Sequence, residues 1–178
     1  MKVRETYIKD LLILRPEIHK DERGWFMESF NQNAFNHILK NFGHKPQNFV
    51  QDNHSLSNKG VLRGLHYQKF PYGQGKLIRV IQGKVWDVAV DIRPNSPTFK
   101  KWVGIEISGT NQVQFWIPPG FAHGFIALED NTHLVYKVTE YYKPEFEEII
   151  KWNDSELAID WPVINQESIT LSIKDRNA

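Results

Sequence analysis

Short apolar runs with polar residues at alternate positions recur along the chain, separated by Gly, Pro and Asn turns. An alternation with a period of two is typical of strands whose two faces meet different surroundings. Extended segments are predicted at residues 11–14, 25–30, 49–55, 61–68, 76–81, 84–92, 102–108, 113–117, 123–129 and 132–142. Because no strand–helix–strand alternation is present, the pattern predicts an all-β sandwich or barrel, whose mouth is a usual place for a small-molecule site.

The connections between these segments carry their own signals. Two or three turn-forming residues separate neighbouring strands at residues 82–83, 109–111 and 130–131, and each turn predicts a hairpin of paired strands. One helix is predicted over residues 34–40, capped by Asn31 or Asn33 and stopped by Gly43. Shorter helical pieces are predicted near residues 155–158 and after Asp175.

Length and composition narrow the class of protein. The chain has 178 residues, 40% of them hydrophobic, which suits one globular domain spanning residues 1–178. A formal net charge of +1 argues against general binding to nucleic acid or to an anionic membrane. There is no cysteine, so disulfides and thiolate chemistry are excluded. No segment reads as a signal peptide or a membrane helix, and we expect a cytoplasmic protein.

The segment Arg63-Gly64-Leu65-His66-Tyr67-Gln68 follows a turn and is the strongest candidate for chemistry. A histidine has a reference pKa of about 6.5 and can carry a proton in either direction near neutral pH. Strict alternation places four residues on one face of the strand, namely Leu62, Gly64, His66 and Gln68. It places Arg63 on the opposite face. Gly64 could host a bulge that re-aims one of these side chains. A purely structural histidine remains the alternative.

Three further segments concentrate polar groups, and each also fits an ordinary strand or loop. They are centred on Lys76, His123 and Tyr136. His66 and His123 could both face a barrel interior and share a metal ion. A catalytic metal site normally needs three protein ligands. The residue two after His66 is Gln68, and no carboxylate follows at strand or helix spacing, so the pattern disfavours a metal.

Several of these segments together resemble one known family. They are RGLHYQ at 63–68, GKL at 75–77, DVAVDIR at 87–93, SPTF at 96–99, IPPGFAHGF at 117–125 and LSIKD at 171–175. In this order they resemble the dTDP-4-dehydrorhamnose 3,5-epimerase family, and the likeness runs from Asp21 to Asp175. The resemblance implies a cupin-type jelly roll with a few short helices, a homodimer, and no metal or other cofactor. It implies epimerisation at C3 and C5 of a dTDP-linked 4-keto-6-deoxyhexose, in dTDP-L-rhamnose biosynthesis.

The resemblance also implies roles for individual residues. His66 would be the general base, Asp175 its carboxylate partner, and Tyr136 the acid on the opposite face. Lys76 would stabilise the developing oxyanion. Sugar and nucleotide would contact a larger set of residues: Arg23, Glu28, Gln51, Asn53, Arg63, His123, Glu147 and Lys174. These residue types suit the reaction, because a proton beside a ketone leaves readily only when the enolate oxygen is stabilised as it forms.

The sequence leaves two alternatives open. Related enzymes epimerise one carbon only or isomerise the keto group, and the motifs do not separate these outcomes. A catalytically silent sugar-nucleotide binding module would need the binding residues but not the base, its carboxylate and the acid together.

The dimer of the family leads us to expect that residues 11–14 and 25–30, which are apolar, pair across a partner subunit.

Overall fold

The computed structural model describes residues 1–162 and 169–178. Its strands are β1 (Lys2–Glu5), β2 (Leu12–Arg15), β3 (His19–Asp21), β4 (Gly24–Phe26), β5 (Gln51–Ser57), β6 (Leu62–Gln68), β7 (Lys76–Gln82), β8 (Lys84–Asp91), β9 (Trp102–Ser108), β10 (Gln114–Ile117), β11 (Phe121–Ala127), β12 (Thr132–Val138) and β13 (Glu147–Ile149). The helices are α1 (Gln32–Asn41) and α2 (Ile173–Arg176), with a 3₁₀ turn at Pro144–Phe146. The all-β prediction with a few short helices is confirmed.

Two antiparallel sheets pack face to face. The first has six strands in the order β1-β2-β10-β7-β12-β5, and the second has five in the order β13-β6-β11-β8-β9. Alternate residues of both sheets point inward and form a common apolar core, which includes Ile78, Phe115 and Leu134 from the first sheet and Val85, Phe121 and Phe125 from the second. Burial of this apolar surface stabilises the sandwich, which has the jelly-roll architecture expected from the sequence.

The three predicted hairpins are wrong, although each turn lies where it was predicted. Strand β7 belongs to the six-stranded sheet and β8 to the five-stranded sheet, and the same switch separates β9 from β10 and β11 from β12. Each short turn therefore carries the chain from one sheet to the other. The alternation of apolar and polar residues is the same whether a turn joins two paired strands or two strands of different sheets. It shows that a strand has two different faces, and it does not identify the neighbouring strand.

The strand β6 departs from strict alternation, and the predicted division of its faces is wrong. His66 is opposite His123 and Arg63 is opposite Phe125, so β6 has one residue more than β11 between these pairs. The extra residue is a bulge beside Gly64, which was predicted as a possibility. Gly64 has a φ of 130°, and a Cβ there would lie 2.5 Å from the Gly124 backbone. The bulge turns Arg63 to the same side as His66.

Helix α1 covers one end of the outer face of the six-stranded sheet. Asn31 is its N-cap, and its side chain accepts from the backbone N–H groups of Asn33 and Ala34, as the sequence predicts. Phe35 and Leu39 pack against strand residues that include Leu77 and Trp116. The predicted helical piece at 155–158 is a turn. The piece predicted after Asp175 begins earlier, as α2 (Ile173–Arg176), which contains that residue.

The segment predicted as a strand at residues 25–30 is shorter than expected. Only Gly24–Phe26 is a strand, paired with His19–Asp21 in an isolated two-stranded ribbon. The side chains of Trp25 and Phe26 are 55% and 70% exposed. Strand β2 is paired on both sides within the chain, by β1 and β10, so it offers no free edge to a partner. No helix among the described residues is long and apolar enough to cross a membrane.

Candidate active site

A cavity of about 270 Å³ opens between the two sheets. Strand β6 contributes Arg63 and His66, β7 contributes Lys76, and β11 contributes His123. Further polar and aromatic residues of these and other segments complete the lining: Ser55, Tyr67, Gln68, Gln74, Phe125, Tyr136, Tyr142, Glu147, Ser172 and Asp175. The cavity is therefore a polar pocket inside a sandwich whose core is mostly apolar.

His66 and Asp175 form the first pair of interacting ionisable groups. The Nε2 atom of His66 lies 2.5 Å from Oδ1 of Asp175, whose side chain is 3% exposed. When the imidazole is neutral, this contact places its proton on Nε2 and leaves Nδ1 able to accept another. The carboxylate also stabilises the imidazolium that forms when His66 takes a proton.

Residues at the C-terminal end of the chain hold Asp175 in place. Thr170 forms a parallel bridge with Val61, the residue before β6. Ser172 then caps the short helix α2, where its hydroxyl accepts from the backbone N–H of Asp175 at 3.0 Å and donates to Oδ2 of the same residue at 2.9 Å. These bonds fix the carboxylate that faces His66, although 109 residues separate the two in sequence.

A second histidine–aspartate pair lies deeper, beside Lys76. The Nε2 atom of His123 lies 3.0 and 2.9 Å from the two carboxylate oxygens of Asp87, which is fully buried. Burial raises the pKa of Asp87, and the nearby His123 and Lys76 partly oppose this shift. Burial lowers the pKa of Lys76 to about 8, against the opposing charges of Glu147 and Asp87. Lys76 is therefore a buried cation that can lose its proton just above neutral pH.

Tyr136 and Glu147 complete the pocket. Burial raises the pKa of the Tyr136 phenol, and the charge of Glu147 raises it further, so the phenol keeps its proton at neutral pH. Glu147 accepts a hydrogen bond of 2.7 Å from the Tyr142 hydroxyl and forms an ion pair with Lys174. Burial raises the pKa of Glu147, but these two bonds outweigh it and the pKa lies below its usual value. Glu147 is thus an anion at the rim of the pocket.

The structure brings most of the predicted site residues together, but not all of them. Arg63, His66, Lys76, His123, Tyr136, Glu147 and Asp175 line the cavity. Lys174 reaches the rim through its ion pair with Glu147. Gln51 accepts from the backbone N–H of Tyr142 at 3.2 Å and donates to Asn53 at 2.8 Å, so both lie beside the pocket.

Arg23 and Glu28 lie apart from this pocket. Arg23 is on the exposed ribbon, where it pairs with Asp21 and its side chain is 83% exposed. Glu28 accepts a hydrogen bond of 3.2 Å from the side chain of Asn31, before helix α1. Neither residue is among those that line the cavity of its own chain.

Some residues of the site were missed by the sequence reasoning. Asp87 was not assigned a role. It lies within the apolar run Val85-Trp86-Asp87-Val88, which indicates a buried carboxylate, and a buried charge needs a partner. Ser172 was missed because a capping residue is recognised only with its helix. Within residues 1–162 and 169–178, no three histidine or carboxylate side chains come together as metal ligands do. The absence of a metal or other cofactor stays a prediction.

The arrangement suits one kind of chemistry. A histidine with a buried carboxylate can accept a proton, a neutral phenol can donate one, and a buried ammonium can stabilise an oxyanion. All three line one cavity of a jelly-roll domain. The fold and the pocket together define a β-sandwich with an acid–base site for a small molecule.

Comparison with known proteins identifies the family. The sequence profile described as dTDP-4-dehydrorhamnose 3,5-epimerase matches residues 5–178. The Escherichia coli (strain K12) dTDP-4-dehydrorhamnose 3,5-epimerase is 55% identical over 175 residues, which cover 98% of this chain and 91% of that protein. This chain belongs to the dTDP-4-dehydrorhamnose 3,5-epimerase family, and its activity is that of an isomerase.

Solved structures agree with this assignment. The Legionella pneumophila dTDP-6-deoxy-D-glucose-3,5-epimerase, in complex with dTDP-4-keto-L-rhamnose, is 51% identical with a TM-score of 0.93, over 99% of this chain and 90% of that one. A 3′-monoepimerase from Streptomyces bikiniensis, in complex with dTDP-quinovose, is 33% identical with a TM-score of 0.88, over 98% and 85% of the two chains. The same fold thus carries epimerases that differ in the number of carbons they invert.

Proposed function

We propose that the cavity around His66 is where a dTDP-linked 4-keto-6-deoxyhexose is epimerised at C3 and C5, giving dTDP-4-keto-L-rhamnose for dTDP-L-rhamnose biosynthesis. The observation that carries this proposal is the convergence of His66, Lys76 and Tyr136 on one cavity, with Asp175 behind the histidine. Residues 1–178 act as a single domain in this account, because both sheets contribute walls to the pocket.

The reaction needs only proton transfers at carbons next to the ketone. Nδ1 of His66 removes the proton from the carbon, and the C–H electron pair becomes the enolate. The charge that develops on the keto oxygen is stabilised by Lys76, and Asp175 stabilises the imidazolium. Tyr136 then gives its phenolic proton to the same carbon from the opposite face, which inverts it. Exchange with solvent returns His66 to its basic form and Tyr136 to its acid form before the second carbon reacts.

The remaining pocket residues bind the substrate. Arg63 and His123 line the cavity beside the acid–base groups and contact the hexose. The guanidinium of Arg63 is oriented by bonds of 3.2 Å to the Ser57 hydroxyl and to the Leu56 carbonyl. At the rim, the nucleotide and sugar contact a polar set made of Gln51, Asn53, Glu147 and Lys174.

The chain forms a homodimer in this account, and the exposed ribbon joins the two subunits. Arg23 and Glu28, which the family resemblance assigns to the substrate, do not line the cavity of their own chain. The ribbon presents Trp25 and Phe26 to solvent, and packing against a partner would bury these aromatic surfaces. A dimer in which the ribbon reaches the partner's cavity would bring both residues to a substrate.

Subunit mixing tests this arrangement. A His66→Ala subunit and an Arg23→Ala subunit are each expected to be poorly active alone. When they are mixed under conditions of subunit exchange, half of the sites in the mixed dimer regain both residues, and activity returns. Activity that stays at the level of the separate variants, or a monomer in sedimentation at micromolar concentration, would contradict the proposed dimer.

Solvent deuterium exchange tests the catalytic proposal. In D₂O the protein is expected to introduce deuterium at both C3 and C5 of the 4-keto sugar, because each carbon loses and regains a proton. Label at one carbon only would identify a mono-epimerase, and a shift of the keto group would identify a ketoisomerase. An unlabelled sugar that still binds would identify a silent binding module. The cytoplasmic location expected from the sequence stays a prediction.

A further inference from the structure

The inner face of strand β5 carries a row of polar side chains beside the pocket. Every second residue of this edge strand is polar and faces the other sheet: Gln51, Asn53, Ser55 and Ser57. The register supports this assignment, since Asn53 is opposite Tyr136 of β12 and Ser55 is opposite the core residue Leu134. The intervening His54 points to the outer face, where its ring nitrogen lies 2.9 Å from that of His133.

Ser55 differs from the other members of this row in its hydrogen bonding. Gln51 donates to Asn53 at 2.8 Å, and Ser57 accepts from Arg63 at 3.2 Å. The hydroxyl oxygen of Ser55 is buried and has no hydrogen-bond partner among the described residues, although the residue lines the cavity. A buried hydroxyl without a partner is unfavourable, so its position in the pocket points to a partner supplied by the ligand.

The position of Ser55 indicates which part of the ligand would reach it. Along β5 it lies between Asn53, which is opposite the acid Tyr136, and Ser57, which orients Arg63. Gln51, at the other end of the row, bonds to the rim residue Tyr142. Ser55 therefore lies farther from the rim than Gln51 and next to the core, where the reacting part of the substrate must enter to meet Lys76 and Tyr136.

We propose that the Ser55 hydroxyl binds an oxygen of the hexose and holds the sugar ring against Tyr136, which makes Ser55 a positioning and specificity-determining residue. This inference rests on the proposed function of the pocket. It concerns the sugar alone, so removal of the hydroxyl should weaken the binding of a nucleotide that carries a hexose and leave the binding of the bare nucleotide unchanged.

Calorimetric titration of Ser55→Ala with two probes tests this directly. dTDP-glucose carries the hexose but has no ketone, so it binds without being epimerised, and dTDP lacks the sugar. We expect about tenfold weaker binding of dTDP-glucose and unchanged binding of dTDP, as for the loss of one neutral hydrogen bond. The kcat/KM for the 4-keto sugar should fall by a similar factor. Ser55→Cys, which keeps the size but is a weak donor, should show the same selective loss.

A matched serine separates this role from a structural one. Ser108 is 2% exposed, and its hydroxyl bonds to Thr110 at 2.9 Å and accepts from the backbone N–H of Asn111 at 3.0 Å, away from the cavity. Ser108→Ala should lower the Tm and leave binding unchanged. Ser55→Ala should not lower the Tm, because it removes a hydroxyl that bonds to no other described residue of the chain.

Two results would overturn the inference. If Ser55→Ala binds dTDP-glucose as tightly as the unaltered protein, the hydroxyl has no hexose partner and is satisfied by water alone. If the variant loses affinity for dTDP and dTDP-glucose equally, Ser55 acts on the nucleotide or on the pocket as a whole. Both titrations are independent of turnover. A protein that fails to label its substrate in D₂O would therefore defeat the proposed reaction while the binding data still decided the role of Ser55.

Discussion

Two histidine–aspartate pairs lie at the pocket, with the same residue types and different surroundings. His66 is 32% exposed at its side chain, and its partner Asp175 comes from a short helix near the C-terminus. His123 is 9% exposed, and its partner Asp87 is fully buried on the adjacent strand β8. A base must meet the substrate and exchange its proton with solvent, which suits the first pair. The second pair is held inside the sheet, with the His123 ring at the cavity wall and Asp87 near Lys76.

The difference shows that the residue types of a dyad do not by themselves make a base. The two pairs have similar nitrogen–oxygen contacts, at 2.5 Å for His66 and 2.9 Å for His123. They differ in how the two residues are held. His123 and Asp87 lie on adjacent strands of one sheet, whereas Asp175 reaches His66 from the short helix α2. Substitution in the first pair should lower the catalytic rate. Substitution in the second should lower the free energy of unfolding and shift the pKa of Lys76.

The largest effect is expected for His66→Ala. Loss of a general base typically costs about 10²–10⁴-fold in rate, and we expect about 10³-fold or more because both proton abstractions depend on the same histidine. Deuterium incorporation at C3 and C5 should fall together, and the circular dichroism spectrum should be unchanged. The exposed His37 on helix α1 gives a control, since His37→Ala should keep full activity. Persistent labelling in His66→Ala would remove His66 from the role of base.

Changing the two aspartates should separate activity from stability. Asp175→Asn should lower kcat by about 10²-fold or more, because the amide no longer supports the imidazolium, and should change stability little. Asp87→Ala leaves His123 without its buried partner and should cost about 3 kcal/mol of unfolding free energy. Denaturant unfolding and kcat measured on both variants check this. Equal loss of stability in the two would mean that the pairs are not different in kind.

The pH dependence should reveal the charge of Lys76. The group acts as a cation, and burial lowers its pKa to about 8, so kcat/KM should fall as the pH rises through about 8. Asp87 opposes that shift, so Asp87→Asn should move the alkaline limb to lower pH. Lys76→Met should be slow at every pH and lack this limb. An unchanged limb in Lys76→Met would assign the titration to another group.

The smallest effect is expected for Ser172→Ala. The hydroxyl caps α2 and bonds to the carboxylate of Asp175, so its removal should loosen the partner of His66. A capping bond is worth about 1 kcal/mol, which predicts a loss of about tenfold or less in kcat. Ser172→Thr keeps the hydroxyl and should restore most of the rate. If Ala and Thr variants were equally slow, the side chain would not act through this bond.

Local pattern was enough to predict most of the strands, the turns between them and helix α1. It did not predict β1, β3 and β13 or the pairing of strands. The turn at Gly83 joins two strands that belong to different sheets. Two strands paired in a hairpin would show the same sequence pattern. The bulge at Gly64 was foreseen as a possibility, yet the side to which it turns Arg63 depends on the register with β11. Neighbouring residues along the chain do not contain that information.

The site was predicted in the same uneven way. The residues themselves pointed to His66 as a candidate, but its partner Asp175 came only from the family resemblance, because spacing alone gives no reason to join residues so far apart. Asp87 could have been found from its place in an apolar strand. The separation of Arg23 and Glu28 from the cavity could not have been predicted in this way. It depends on where the isolated two-stranded ribbon lies relative to the two sheets.

The division of labour between His66 and Tyr136 is the central claim, and Tyr136→Phe tests it most directly. In D₂O, exchange and inversion are measured on the same sample by the label and the stereochemistry at each carbon. If Tyr136 only returns protons on the opposite face, the variant should still exchange through His66 with retention, while inversion falls much further, most of all at C5. Equal loss of exchange and inversion would contradict the account and assign Tyr136 to positioning the sugar or stabilising the oxyanion.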